Sequence, residues 1–348
     1  MVTLFHTAAA LLIGAVGGYV FVLLHAPLPW TLGALTATAL VSLAGRRWFL
    51  PPFAWNLARP CIGVLAGSSF TLPILLSLAG WWDVILILVV YSLAMTLLGS
   101  AFFRRVAGYD PATSFFASAP AGLGELSLLG SSLGGNLRTL VLVHSVRIVL
   151  VVFTVPFAIR WMMAGGAAPP PAPAHVEGAG GLIDWALLIG CGVIGFFLGR
   201  PYRTFGGVML VPMVLSAIVH IAGFTTLSPP AWLVTLVQIT IGSIAGSRFA
   251  GLKLAEFRST IMYALVWAVT LVVTAFLAAM ACLGLTEHTL AELALGFAPG
   301  GIVEMTIVAY AMSVEVAFVV TCQLSRITLV LMLAPVLFRL TGHKPPAD

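Results

Sequence analysis

The sequence predicts an all-α polytopic membrane protein of two homologous repeats, each with about five transmembrane helices plus a broken, re-entrant helix. Three observations predict it. The 348 residues are 61% hydrophobic and only 8% charged, whereas about a quarter of an ordinary soluble domain is charged. The apolar residues fall in long runs, such as 84–103 and 261–283, which suit the roughly 20 residues a helix needs to cross a bilayer. Finally, one stretch occurs twice. Ala119-Pro120-Ala121-Gly122-Leu123-Gly124-Glu125-Leu126-Ser127 leads on to Arg147 and Pro156, and Ala298-Pro299-Gly300-Gly301-Ile302-Val303-Glu304-Met305-Thr306 leads on to Arg326 and Pro335. The paired prolines, glutamates and arginines all lie 179 residues apart, an ungapped register that chance does not readily produce.

Taken in order, apolar segments predict spans at 8–24, 29–45, 53–70, 80–103 and 138–161, then at 183–199, 205–222, 231–247, 260–283 and 316–338. The repeated stretch sits between the fourth and fifth of each set, at 111–135 and 291–313. This divides the chain into membrane repeat 1 (1–163), a linker (164–182), membrane repeat 2 (183–340) and a short tail (341–348). Pro169, Pro170, Pro171 and Pro173 stand among Gly and Ala in the linker, and without a helical period it reads as extended.

The duplication also reaches upstream. Ile62-Gly63-Val64-Leu65-Ala66-Gly67 returns as Ile241-Gly242-Ser243-Ile244-Ala245-Gly246, again 179 residues on. Its G-x-x-x-G spacing lets helix backbones approach closely in lipid, so helix packing is one reading and lining of a permeation path the other.

Lys and Arg placement predicts the orientation, since basic loops stay cytoplasmic. With Arg46, Arg47, Arg104 and Arg105 inside, and Arg200, Arg203, Arg248, Lys253 and Arg258 also inside, the linker must be outside. Each repeat then crosses an odd number of times, the repeats are inverted, and both termini are cytoplasmic. If the repeated stretch crosses fully instead, each half has six spans and the repeats are parallel. Only Arg160 violates the first assignment.

The net charge of +5 is dispersed at the ends of apolar runs, unlike the sustained basic patch of a nucleic-acid reader. Cys61, Cys191, Cys282 and Cys322 are scattered through apolar segments and read as structural thiols. No H-E-x-x-H, clustered metal-ligand set or phosphate-binding G-x-x-x-x-G-K-[ST] occurs, so neither a metal nor any other cofactor is expected, nor an enzyme.

The chemistry concentrates in the repeated stretch. Pro120 and Pro299 lack an amide donor and disfavour helix at the residue before them. Gly122, Gly124, Gly300 and Gly301 have access to conformations closed to other residues. Each stretch therefore predicts a helix broken at membrane depth, whose exposed backbone ends are natural ion and substrate sites.

Glu125 and Glu304 follow the breaks, and Arg147 and Arg326 lie in the next span. An intramembrane ionisable residue marks a pathway, a proton relay or an ion pair, so Glu125–Arg147 and Glu304–Arg326 are either structural locks or part of a solute site. Ser127 and Thr306 correspond and could cap a half-helix or bind substrate. His144 and Gln323 correspond one turn before each Arg. Arg59, ahead of a span-breaking Pro60, could bind an anion or satisfy backbone carbonyls freed by that break.

At the two A-P-[AG]-G-x-x-E-[LM]-[ST] stretches and their trailing Arg residues, the chain resembles the bacterial AbrB membrane-protein family. That family has a duplicated membrane domain and is distinct from the small DNA-binding regulators of the same name. The resemblance covers 8–161 and 183–340. It implies the fold more than the mechanism, because members are labelled as transporters, as regulators of gene expression or as ammonia monooxygenases. The last label fits poorly, since copper chemistry wants a histidine-rich ligand set.

The expectation is a secondary transporter of a small solute, coupled to protons or another ion, in the bacterial inner membrane. The lipid bilayer and the solute are its expected partners, nucleic acid is not, and a homo-oligomer is compatible with this reading. The alternative is a membrane regulator of gene expression acting through a ligand or partner.

Overall fold

The computed structural model describes residues 2–45, 52–164, 180–250 and 257–340. The linker prolines, Arg46, Arg47, Lys253 and the tail 341–348 lie outside the described residues. The first half contains α1 (Val2–Leu23), α2 (Pro29–Leu43), α3 (Pro52–Ser68), α4 (Leu72–Ser77), α5 (Trp82–Arg105), α6 (Pro111–Ser118), α7 (Leu123–Ser132) and α8 (Leu137–Ala164). The second contains α9 (Leu182–Gly199), α10 (Gly207–Ile221), α11 (Ala231–Ser247), α12 (Arg258–Cys282), α13 (Leu290–Phe297), α14 (Ile302–Ala311) and α15 (Val316–Leu340). Short 3₁₀ turns join α4 to α5 and α9 to α10, and no strand occurs among the described residues.

Every apolar segment read from the sequence is a helix. Six helical stretches, built on α1, α5, α8, α9, α12 and α15, are long and apolar enough to cross a membrane. Helices α2 and α10 have 15 residues each, and α3 and α11 have 17. At about 1.5 Å per residue they fall short of a hydrocarbon core of about 30 Å.

The chain forms two compact units, and each draws segments from both halves. Unit 1 comprises Met1–Ser77, Pro156–Leu252 and Thr306–Ala317. Within it α1 packs on α2, α2 on α11, and α1 on α11, while α9 packs on α10, α10 on α3, and α9 on α3. The second triplet is the first with the halves exchanged, because α9, α10 and α11 are the counterparts of α1, α2 and α3.

The four shorter helices pack closely. A Cβ on Gly67 would lie 2.3 Å from the Met213 carbonyl oxygen, and one on Gly246 would lie 2.5 Å from that of Leu35. Gly63 and Gly242 come equally near the carbonyls of Met209 and Thr31. Helix packing is therefore what the G-x-x-x-G spacing does here. Pro60 stays inside α3 and does not break it. Beyond the proline, which removes one backbone donor, α3 runs on along α10 through Gly63 and Gly67.

Unit 2 comprises Leu78–Val155, Lys253–Met305 and Phe318–Asp348. Here α5 packs on α6 as α12 packs on α13, and α5 and α12 pack on each other. The Phe102 and Trp267 rings stack with centroids 5.8 Å apart, and the Tyr91 hydroxyl donates to the Leu271 carbonyl at 3.1 Å. Trp267 Nε1 donates to the Ser118 carbonyl at 3.3 Å, while Ser118 Oγ donates to that of Thr96 at 2.8 Å. These bonds tie the end of α6 to both long helices.

Candidate functional site

The repeated stretches become α6–α7 and α13–α14, each a helix interrupted by four residues. Their starts are capped at corresponding positions, with Asp110 accepting from the Thr113 amide at 2.8 Å and Thr289 accepting from that of Glu292 at 3.3 Å. Such caps satisfy amides that would otherwise lack partners. The interruption begins where Ala119 and Ala298 turn to extended ψ values of 128° and 131°, the conformation a following proline favours.

The first stretch forms a hairpin. The Asn136 amide donates to Thr113 Oγ1 at 2.7 Å, and a Cβ on Gly130 would lie 2.8 Å from Phe116 Cβ. Helix α7 therefore doubles back along α6. Its exit turns through Gly134 at φ 92°, and the equivalent Ser313 of the second stretch has φ 56°.

The breaks are held by the two arginines. Arg147 donates from Nη1 to the Ala119 carbonyl at 2.8 Å and from Nη2 to that of Ala121 at 2.6 Å. Arg326 repeats this 179 residues on, from Nη1 to Ala298 at 2.7 Å and from Nη2 to Gly300 at 3.0 Å, with a longer bond to Phe297. Both side chains are buried. Each guanidinium thus bridges carbonyls two positions apart in the chain, which its planar fork permits and a lysine ammonium would not. Supporting freed carbonyls was one of the two roles the sequence offered for Arg59. Arg147 and Arg326 perform it at the two breaks, while Arg59 lies in unit 1 over the Trp55 ring, 4.6 Å from its centroid.

The carboxylates sit on the other side of each break. Glu125 and Glu304 are third in α7 and α14, where a negative charge complements the positive end of a half-helix. A Cβ on Gly122 would lie 2.1 Å from Glu125 Oε2, and one on Gly301 would lie 2.2 Å from Glu304 Oε2. Gly122 has φ −61° and ψ 137°, and none of the four break glycines has positive φ. Glycine at 122 and 301 thus leaves room for the carboxylate to fold back over the break, and its access to positive φ is not used.

Gly301→Ala should displace only the end of a flexible side chain, so its stability should stay within about 1 kcal/mol of wild type. A melting curve beside Gly63→Ala, whose Cβ would meet a backbone carbonyl at 2.3 Å, checks this. Similar large losses in both would show that the carboxylate is not where the structure puts it.

The two breaks share one electrostatic neighbourhood in unit 2. Arg147 and Arg326 are near enough to repel, and Glu304 is near enough to Arg147 to attract it. Gln323 donates to the Leu295 carbonyl at 2.8 Å and accepts from Arg326. His144 faces the equivalent Phe116 backbone, but among the described residues neither ring nitrogen completes a hydrogen bond. Ser127 Oγ and both arginine Nε atoms likewise have no hydrogen-bond partner among the described residues.

Glu304 is 8% exposed and Glu125 is half-buried, so the halves are not equivalent. Thr306 is buried and belongs to unit 1. No group of three metal-binding side chains occurs among the described residues. The caps Asp110 and Thr289 escaped the sequence reading, although each stands at a proline- or glutamate-marked helix start.

The family model described as transition state regulatory protein AbrB matches residues 30–342. The chain belongs to the AbrB family. Two AbrB-like relatives extend over nearly its whole length. The uncharacterized protein YhjN of Bacillus subtilis (strain 168) is 26% identical over 95% of this chain and 92% of its own length. The "Putative regulator AbrB" of Escherichia coli (strain K12) is 23% identical over 94% of this chain and 93% of its own. AbrB kinship and the apolar helices agree on a helical membrane protein.

Proposed function

We propose that the protein is a secondary transporter of a small solute, not an enzyme, coupled to protons or another cation and working from inverted repeats in the inner membrane. The observation that carries this reading is the matched construction of the two breaks, with an arginine on the carbonyl side and a glutamate on the amide side of each. In every break the guanidinium is committed to backbone oxygens, so the carboxylate is the group able to change its charge during a cycle. Interrupted helices at the midplane, with their ends turned to a solute or ion, are the usual construction of such transporters. The element pairs that recur with the halves exchanged, together with the hairpin of α6 and α7, support the inverted arrangement with both termini cytoplasmic.

Glu304→Gln tests the reading. A thermal-shift screen of the purified protein against small metabolites supplies the solute, because a ligand of the folded state raises its melting temperature. Proteoliposomes then report solute flux with and without a pH gradient. The variant should fold and lose at least about a hundredfold in flux, the lower end of what a proton-transferring group contributes to a rate. Undiminished flux in both Glu304→Gln and Glu125→Gln would end the carboxylate mechanism.

The name of the Escherichia coli relative favours a second reading, a membrane regulator acting through a ligand or partner. It predicts no solute flux in wild type and a protein that co-purifies with it.

A further inference from the structure

Unit 1 contains a cavity of about 400 Å³ that the transport reading does not use. From α9 it is lined by Trp185 and then by the residue pairs 188/189, 192/193 and 196/197. Leu57, Cys61 and Val64 of α3 and Leu233 of α11 line it elsewhere. Asn56 and Cys61 are the only lining residues with polar side-chain atoms besides the Trp185 indole.

The α9 lining repeats every three to four residues, which places it on one helical face. Ile189, Val193 and Phe197 on that face are each more than half exposed, so the cavity is a groove opening outward on an apolar surface. From Trp185 to Phe197 it runs about 18 Å along the helix axis, close to the roughly 15 Å hydrocarbon depth of one leaflet.

The stripe does not end in apolar residues. Its next position is Arg200, three residues beyond Phe197, and Arg203 follows in the 3₁₀ turn. Both arginines are exposed. Neither arginine lines the cavity itself, but Arg200 continues its helical face, and a leaflet-length apolar groove with basic residues just beyond its end complements a long alkyl chain joined to an anionic head. Water is a poor filler for a cavity with so few polar partners, and a zwitterionic lipid would leave the arginine charge uncompensated.

We propose that this groove binds one acyl chain of an anionic phospholipid, whose phosphate rests on Arg200 and Arg203. The alkyl chain lies along α9 against Cys61 and Val64, and the head sits at the interface where basic side chains attract acidic lipids. The lining includes neither the break residues nor the arginines and glutamates beside them, so its test does not depend on transport.

The experiment uses full-length protein in phosphatidylcholine vesicles doped with bromine-labelled lipid, which quenches nearby tryptophan. The signal of Trp185 is taken as the difference between wild type and Trp185→Phe. Brominated phosphatidylglycerol should quench it at a roughly thirtyfold lower mole fraction than brominated phosphatidylcholine, given about 1 kcal/mol for each of two basic residues near an anionic surface.

The preference should vanish in the Arg200→Ala/Arg203→Ala double variant. Quenching by both lipids should fall in Gly192→Leu, a position where a Cβ meets only Val64 at 3.8 Å, so the fold is retained while the groove is filled. Equal quenching by the two lipids in wild type would mean an unselective lipid contact and overturn the proposal. Absence of quenching by either would mean that something else, such as a second copy of the chain, covers the groove, and would overturn it as well.

Discussion

Arg326→Met and Arg147→Met are each expected to destabilise the folded protein by about 2–4 kcal/mol, although methionine fills similar space and removes a buried charge. Two effects oppose each other. Losing a desolvated guanidinium is favourable, since buried ions are costly even when paired. Against this, the break carbonyls lose their donors, and each orphaned buried carbonyl costs about 1–3 kcal/mol.

Not every carbonyl is orphaned. Ala119 and Ala298 still accept from the amides of Ala121 and Gly300 at 3.0 and 2.8 Å, and Ala298 keeps a bond from Gln323 at 3.2 Å. Those of Ala121 and Gly300 depend on the arginine. Glu304 also loses an attraction when Arg147 is removed, which leaves a buried carboxylate less compensated. The orphaned carbonyl and the uncompensated carboxylate together outweigh the relief. Arg→Lys should fall between wild type and Met, because one ammonium has the charge but lacks the fork that spans two carbonyls. Unfolding curves in detergent measure all four variants. Methionine variants as stable as wild type, or lysine fully equivalent to arginine, would show that the guanidiniums do not support the breaks.

The helices, the breaks and the charged residues beside them were legible because each has a local cause. Runs of apolar side chains make helices in lipid wherever they occur. A proline stops the residue before it from continuing a helix, which is what Ala119 and Ala298 show. What the guanidiniums touch was not legible. Chain separation places Arg147 within reach of both Glu125 and the break carbonyls, and the choice between them depends on side-chain direction across a folded-back hairpin. The two break glycines 122 and 301 show the same limit. Their freedom to adopt positive φ is visible in the sequence, yet it is not used, and what they leave instead is room for a carboxylate three residues on. Pro60 was misleading for a related reason, since α3 runs on beyond it in tight contact with α10, more than a hundred residues away in the chain.

That contact carries the second large expectation. Gly67→Leu and Gly246→Leu should each destabilise the protein by about 3 kcal/mol or more, at the upper end of overpacking penalties. Their Cβ atoms would lie 2.3 and 2.5 Å from backbone carbonyl oxygens of Met213 and Leu35, and a backbone oxygen cannot swing aside as a side chain can. The helices must separate along their length, which loosens the neighbouring contacts at Gly63 and Gly242. Gly190 of α9 is the control, because a Cβ there meets nothing within 4 Å. Gly190→Ala should leave stability unchanged or raise it by up to about 1 kcal/mol, the helix-propensity difference between the residues. Equal losses at 67 and 246 are required if the α3–α10 and α11–α2 contacts are one packing solution used twice. A large loss at only one of them would mean that the two halves, despite their shared spacing, have come to carry different shares of unit 1's stability.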